Sequence, residues 1–226
     1  MGGAGSEQGG NANATDAEKL CPKPAPALSV DTATRCQSMR PRRHGTMRVM
    51  DDIVQQAMAK WPHVPACYGW LGLDARGRWY LRDDAVQARG AFPLHKGDLL
   101  QHDKLIAFIE RNYAADAQGQ WFFQNGPQRV YVELESTPWV WRIQPDLHLR
   151  THTGRITRAT ECLLDEQGRV YLDSAIGLGL VHTLDVLQVS EVLEQGLWVA
   201  QPVQAHELPR RFGFVRSPPA PARTLP

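Results

Sequence analysis

No run of apolar residues approaches the roughly 18 that a membrane-crossing helix requires, so the 226-residue sequence is read as soluble, without a membrane partner. Cysteine is scarce, with four residues, too few and too scattered for a disulfide framework. Read as unpaired, and with no secretory run after a basic start, they place the protein in a reducing, cytoplasmic compartment. Charge of one sign is also missing: 25 basic residues stand against 24 acidic ones. A nucleic-acid binder would show a basic excess or a basic face, so no nucleic-acid partner is expected.

Aromatics are missing from one stretch only. Residues 1–49 contain no Trp, Tyr or Phe, although the chain holds 7, 5 and 6 of them. A segment this poor in large apolar groups cannot offset its ordering entropy and is read as a disordered extension. The native product is expected to start near Met47 or Met50. Residues 217–226, opening Ser217-Pro-Pro-Ala-Pro-Ala, read as a disordered Pro-rich tail. Residues 50–216 then hold 17 basic and 20 acidic groups, a net of −3, and form the single folding domain.

Within that domain, apolar spacing predicts three short helices. The first follows Asp51 and Asp52, with Ile53, Val54, Ala57, Met58 and Trp61 on one side. The second runs from about His102 to Tyr113. The third starts near Thr183 with Leu184, Leu187, Val192 and Leu193 inward, and stops at Gly196. Between the helices lie strands. Leu73-Asp74-Ala-Arg-Gly77-Arg-Trp79-Tyr80-Leu81, Asp116-Ala-Gln-Gly119-Gln-Trp121 and Leu164-Asp165-Glu-Gln-Gly168-Arg-Val170-Tyr171-Leu172 share an Asp-x-x-Gly turn. The Asp accepts backbone N–H groups and the Gly supplies a left-handed residue. Alternation from Trp121 to Ile143 predicts a meander in which Trp139, Trp141 and Ile143, rather than Val140, face the core. The expected fold is α+β: antiparallel hairpins and a meander, with about three helices, in one compact domain.

Sites of known chemistry are few. His148-x-x-x-His152-Thr-Gly154 ends like a zinc finger, but no cysteine lies between Cys67 and Cys162, so two exposed histidines on a turn or strand are expected and no metal. Gly177-Leu-Gly179 begins like a dinucleotide fingerprint, yet His182 stands at the third glycine; the glycines read as a loosened strand-to-helix junction, and no cofactor is expected. Cys67 beside His63 reads as a packed cysteine rather than a nucleophile.

Gly69-Trp-Leu-Gly-Leu-Asp74-x-x-Gly77-x-Trp79-Tyr80, a helix, Asp116-x-x-Gly119-x-Trp-Phe-Phe and Arg129-Val-Tyr-Val-Glu133-x-x-x-x-Pro138-Trp-Val together resemble proteobacterial domains of unknown function. The likeness spans roughly residues 66–215. It implies a compact mixed α/β domain in a bacterial cell and carries over no site residue. The leading expectation is a non-enzymatic domain that binds a ligand or protein, or regulates, through the strand face around Arg129, Glu133, Trp139, Trp141 and Arg142. The alternatives are a hydrolase using Glu133, Asp83 or His182 in a cleft, or a structural subunit of a larger complex.

Overall fold

The structure is a computed structural model and describes residues 52–61 and 64–220. The expected extension at 1–49 lies outside the described residues. The α+β assignment is overturned: the described chain is mostly β, with twelve strands in two six-stranded sheets and five short α-helices. Alternation marks which residues form strands, but it carries no information about which strands pair or whether a sheet closes.

The first sheet contains β1 (Cys67–Leu73), β2 (Trp79–Leu81), β3 (Asp98–Leu99), β4 (Tyr113–Ala115), β5 (Trp121–Asn125) and β6 (Gln128–Leu134), in the order β3-β2-β1-β6-β5-β4. Its central pair, β1 with β6, is parallel. The second contains β7 (Trp139–Ile143), β8 (His148–Thr151), β9 (Ile156–Asp165), β10 (Val170–Ser174), β11 (Gly179–Val181) and β12 (Ala200–Val203). Here β7 to β11 form a meander that closes into a five-stranded barrel, because β11 returns parallel to β7. The ten-residue β9 makes closure possible: Ile156–Arg158 pair with β8, and residues from Ala159 onward pair with β10. β12 lies parallel on the free edge of β9.

The three Asp-x-x-Gly turns all form and make the same hydrogen bonds. Asp165 Oδ1 accepts the backbone N–H of Gln167 and Arg169 at 3.0 and 2.8 Å, while Oδ2 takes Arg169 Nε and the Tyr171 hydroxyl at 2.8 and 2.9 Å. Asp74 repeats this with Arg76, Arg78 and Tyr80. Asp116 repeats it with Gln118, Gln120 and Tyr131. The fourth turn residue is left-handed each time, with φ of 77°, 77° and 75° at Gly77, Gly119 and Gly168.

α1 (Asp52–Lys60) and α3 (Asp103–Arg111) form where the spacing placed them, although Trp61 is 51% exposed. The α3 stripe docks on the first sheet, with Phe108 edge-on to Phe123 at 5.4 Å. α2 (Asp84–Arg89) and α5 (Leu208–Phe212) were not expected; both are too short to show a periodic stripe. The third predicted helix starts late. A 3-10 turn occupies Thr183–Asp185, and α4 runs Val186–Glu194. The tighter turn shifts the helical phase, so Val189 and Val192 face inward while Leu184 and Leu187 are exposed.

β7 is covered on both sides, which corrects the one-faced reading. Trp139, Trp141 and Ile143 are buried, and so is Val140, against the Gly77 turn of the first sheet. Gly179 belongs to a strand rather than a loosened junction: a Cβ there would lie 2.3 Å from Trp141 Nε1, so glycine admits the indole. One core serves both sheets, and its aromatic centre is Trp79, Tyr113, Trp121 and Trp139.

Candidate functional site

The outer face of the first sheet holds a cavity of about 440 Å³. On β6, Val130, Val132 and Leu134 point into the core, so Tyr131 and Glu133 must point outward. Glu133 is paired in register with Gly72 of β1. Gly72 has no side chain to fill the space beside the carboxylate, and the Phe92 ring takes it; a Cβ on Gly72 would lie 2.6 Å from that ring. Phe92 is itself flanked by Tyr80 and the Arg82 guanidinium.

Arg82 is 3% exposed and serves as the buttress of the cavity. Its Nε donates to the His95 carbonyl at 3.0 Å, Nη1 to Gly69 at 3.1 Å and Nη2 to Gly90 at 2.6 Å. These bonds fix the loop that carries Phe92 and leave the guanidinium out of contact with Glu133. Among the described residues no cation forms an ion pair with the Glu133 carboxylate, which is 8% exposed. Burial pushes its pKa up; the Ser217 hydroxyl and the more distant Arg82 charge pull it partly back. Tyr68 forms a further wall and stacks on Tyr131 at 4.6 Å.

The remaining wall is the end of the described chain, residues 217–220. Val215 N–H donates to the Gly119 carbonyl at 2.9 Å, and the Arg216 carbonyl accepts Leu134 N–H at 2.8 Å. These bonds carry the chain along the end of β6, after which Ser217 lines the cavity together with Glu133 and Pro218 is buried.

Of the five residues singled out in the sequence, Arg129 and Glu133 share the outer face of β6. Arg129 lies over the Phe122 ring at 4.6 Å, away from the cavity walls. Trp139 and Trp141 lie in the core, their indole N–H groups donating to Ile176 and Leu172 carbonyls at 2.7 and 2.8 Å. Arg142 projects from the other face of β7 and clamps buried Asp185 through two bonds of 2.7 and 3.0 Å. Asp83 caps α2 by accepting Val86 N–H at 2.8 Å, and His182 caps the 3-10 turn by accepting Leu184 N–H at 3.1 Å; neither lines the cavity. Tyr68, Arg82 and Phe92 gave no sequence signal, since each is an ordinary strand or loop residue until the sheet brings it beside Glu133.

The two histidines do not match the exposed pair expected. His148 is part-exposed beside Asp146. His152 lies among Trp79, Tyr113 and Trp139, and its buried Nε2 has no hydrogen-bond partner. Burial, and then the Arg155 charge, push its pKa down to about 3. Among the described residues no group of three or more His, Cys, Asp or Glu side chains could hold a metal ion. Cys162 is a packed thiol, pushed up to about 11 by burial. Cys67 is disulfide-bonded rather than the free packed thiol expected, which weakens the expectation of a reducing compartment.

No helix among the described residues is long and apolar enough to cross a membrane. No curated protein matches the chain significantly. A solved structure of a DUF1285 family protein from Silicibacter pomeroyi DSS-3 is similar at 10% identity and a TM-score of 0.38, covering 54% of this chain and 68% of that one. The sequence pattern of DUF2944, described as a protein of unknown function (DUF2946), matches residues 50–219. With that match spanning most of its length, the chain belongs to this family of unknown function.

Proposed function

We propose that the protein is a non-enzymatic binding domain whose ligand site is the Glu133 cavity. The observation that supports this reading is the carboxylate itself: buried, without a contacting cation among the described residues, and facing a cavity between preformed aromatic walls. A buried carboxylate without a contacting counter-ion costs stability. A strand-face position kept for folding alone would be served as well by a neutral residue. Such a group in a cavity marks a binding site. The enzymatic alternative lacks a constellation here, because Asp83 and His182 each spend a side-chain acceptor on a helix or turn terminus.

A thermal-shift screen of amino acids, amines, nucleotides, sugars and short peptides tests the reading. A compound that stabilises the wild type but not Glu133→Gln supports it. Reproducible turnover of ester, phosphoester or glycoside substrates, abolished by Glu133→Gln, overturns it.

A further inference from the structure

We propose that the ligand class of the Glu133 cavity is a small organic ammonium, a protonated primary amine that donates to the Glu133 carboxylate and the Gln87 amide oxygen. This rests on the binding reading above and specifies what the site takes.

The first observation is the charge of the lining. Arg82 is the one cation among the residues that line the cavity, and its guanidinium is spent on the carbonyls of His95, Gly69 and Gly90. Glu133 is the one anion, and among the described residues no cation pairs with it. An anionic ligand would lie against that carboxylate, and a neutral one would leave its charge buried without a counter-ion. A cation offsets it. A metal ion needs several oxygen or nitrogen ligands, and among the described residues no group of three or more His, Cys, Asp or Glu side chains could hold one. An ammonium needs one carboxylate and a second acceptor.

The second observation is the hydrogen-bond polarity of the lining. Gln87 Nε2 donates to the Arg82 carbonyl at 3.0 Å. A carbonyl only accepts, so this bond fixes the amide and leaves Oε1 as its free acceptor. Among the described residues nothing donates to Oε1. Gly69 leaves room for it, since a Cβ there would lie 2.5 Å from Oε1. Two side-chain acceptors, on Gln87 and Glu133, therefore line one cavity. A primary ammonium brings three N–H donors to them, whereas a quaternary one brings none. The Tyr68 and Phe92 rings supply the apolar wall, Tyr68 held by stacking on Tyr131 and Phe92 by its seat over Gly72. A volume of about 440 Å³ suits a small molecule with a short hydrocarbon body.

The test is a titration of the full chain with 2-phenylethylamine, followed by amide chemical shifts. Its alcohol, its carboxylate counterpart 3-phenylpropanoate and its N-trimethyl derivative are the comparisons, and hexylamine against 1-hexanol repeats the test on an aliphatic body. The expected result is that at least one amine binds about tenfold or more tighter than its comparisons, because a charged hydrogen bond is worth more than a neutral one. Shifts should centre on Gly69, Gln87 and Ala91. Glu133→Gln should weaken the amine by a similar factor, and Gln87→Leu, the second variant, by about threefold or more. Amines that bind no tighter than their alcohols, or equally well to Glu133→Gln, overturn the proposal. If the amines fail and another screened compound binds in a Glu133-dependent way, the ammonium class is refuted and the binding site stands; if no compound shifts the cavity residues, both are refuted.

Discussion

Asp165→Ala and Asp116→Ala remove the same residue from the same kind of turn, yet they should differ in cost. The Asp165 side chain is 0% exposed and accepts two backbone N–H groups, the Arg169 guanidinium and the buried Tyr171 hydroxyl. Its loss leaves the buried Tyr171 hydroxyl without an acceptor and breaks a charged bond to the part-exposed Arg169, a cost of about 2–4 kcal/mol. Asp116 is half-buried, and its non-backbone donors are the neutral Gln120 amide and Tyr131 hydroxyl, so its loss should cost about 1–2 kcal/mol. Urea unfolding with matched m-values measures both. The pH dependence follows with its sign. Burial raises the Asp165 pKa, but the Arg169 backbone and side chain, Tyr171 and the Gln167 backbone outweigh it and hold the net value below the ordinary one. That contribution is fully present above the unfolded carboxylate value and is lost as pH falls through the folded value. The wild-type advantage over Asp165→Ala should therefore shrink in acid. Equal costs for the two substitutions, or a cost under about 1 kcal/mol for Asp165→Ala, would refute the hydrogen-bond account of these turns.

Other outcomes follow from the packing. Gly72→Ala should destabilise by about 1–3 kcal/mol, since its new methyl meets Phe92, and Phe92→Ala should remove most of that penalty in a double-mutant cycle. Trp141→Ala should cost about 3–5 kcal/mol in chemical denaturation, because the 0%-exposed indole fills the core and satisfies the Leu172 carbonyl. Arg142→Ala leaves buried Asp185 without its clamp and should lower the melting temperature more than Arg142→Lys does. With the His152 pKa depressed to about 3, the unfolded state takes up a proton that the folded state refuses. Stability is then lost as pH falls from about 6.5 at up to about 1.4 kcal/mol per pH unit, and His152→Gln should flatten that slope in acid unfolding titrations.

Local chemistry was legible in the sequence wherever a short segment carries its own reason. The three Asp-x-x-Gly turns needed only an acceptor and a left-handed glycine, and all three form. The α3 stripe also needed nothing beyond itself. Barrel closure was not legible, because it depends on the two halves of β9 pairing with different strands and on a parallel return by β11. Leu184 and Leu187 were misplaced by a single 3-10 turn, which a 3.6-residue period cannot anticipate. Of the cavity, Glu133 could be named from strand alternation. Phe92, Arg82 and Ser217 lie about 40, 50 and 85 residues away along the chain and meet it only after the sheet forms, so no spacing rule could collect them.

The measurement that bears most directly on the Glu133 site is the melting temperature of Glu133→Gln relative to wild type across pH. Glutamine keeps an acceptor for Ser217 and removes the buried charge. A carboxylate whose folded pKa is raised, chiefly by burial, destabilises the fold as pH rises above its unfolded value, so the variant should melt higher than wild type at neutral pH. That gain should vanish near pH 4, where both forms are neutral. A variant that melts lower than wild type at neutral pH would make Glu133 a structural residue and contradict the binding-site account.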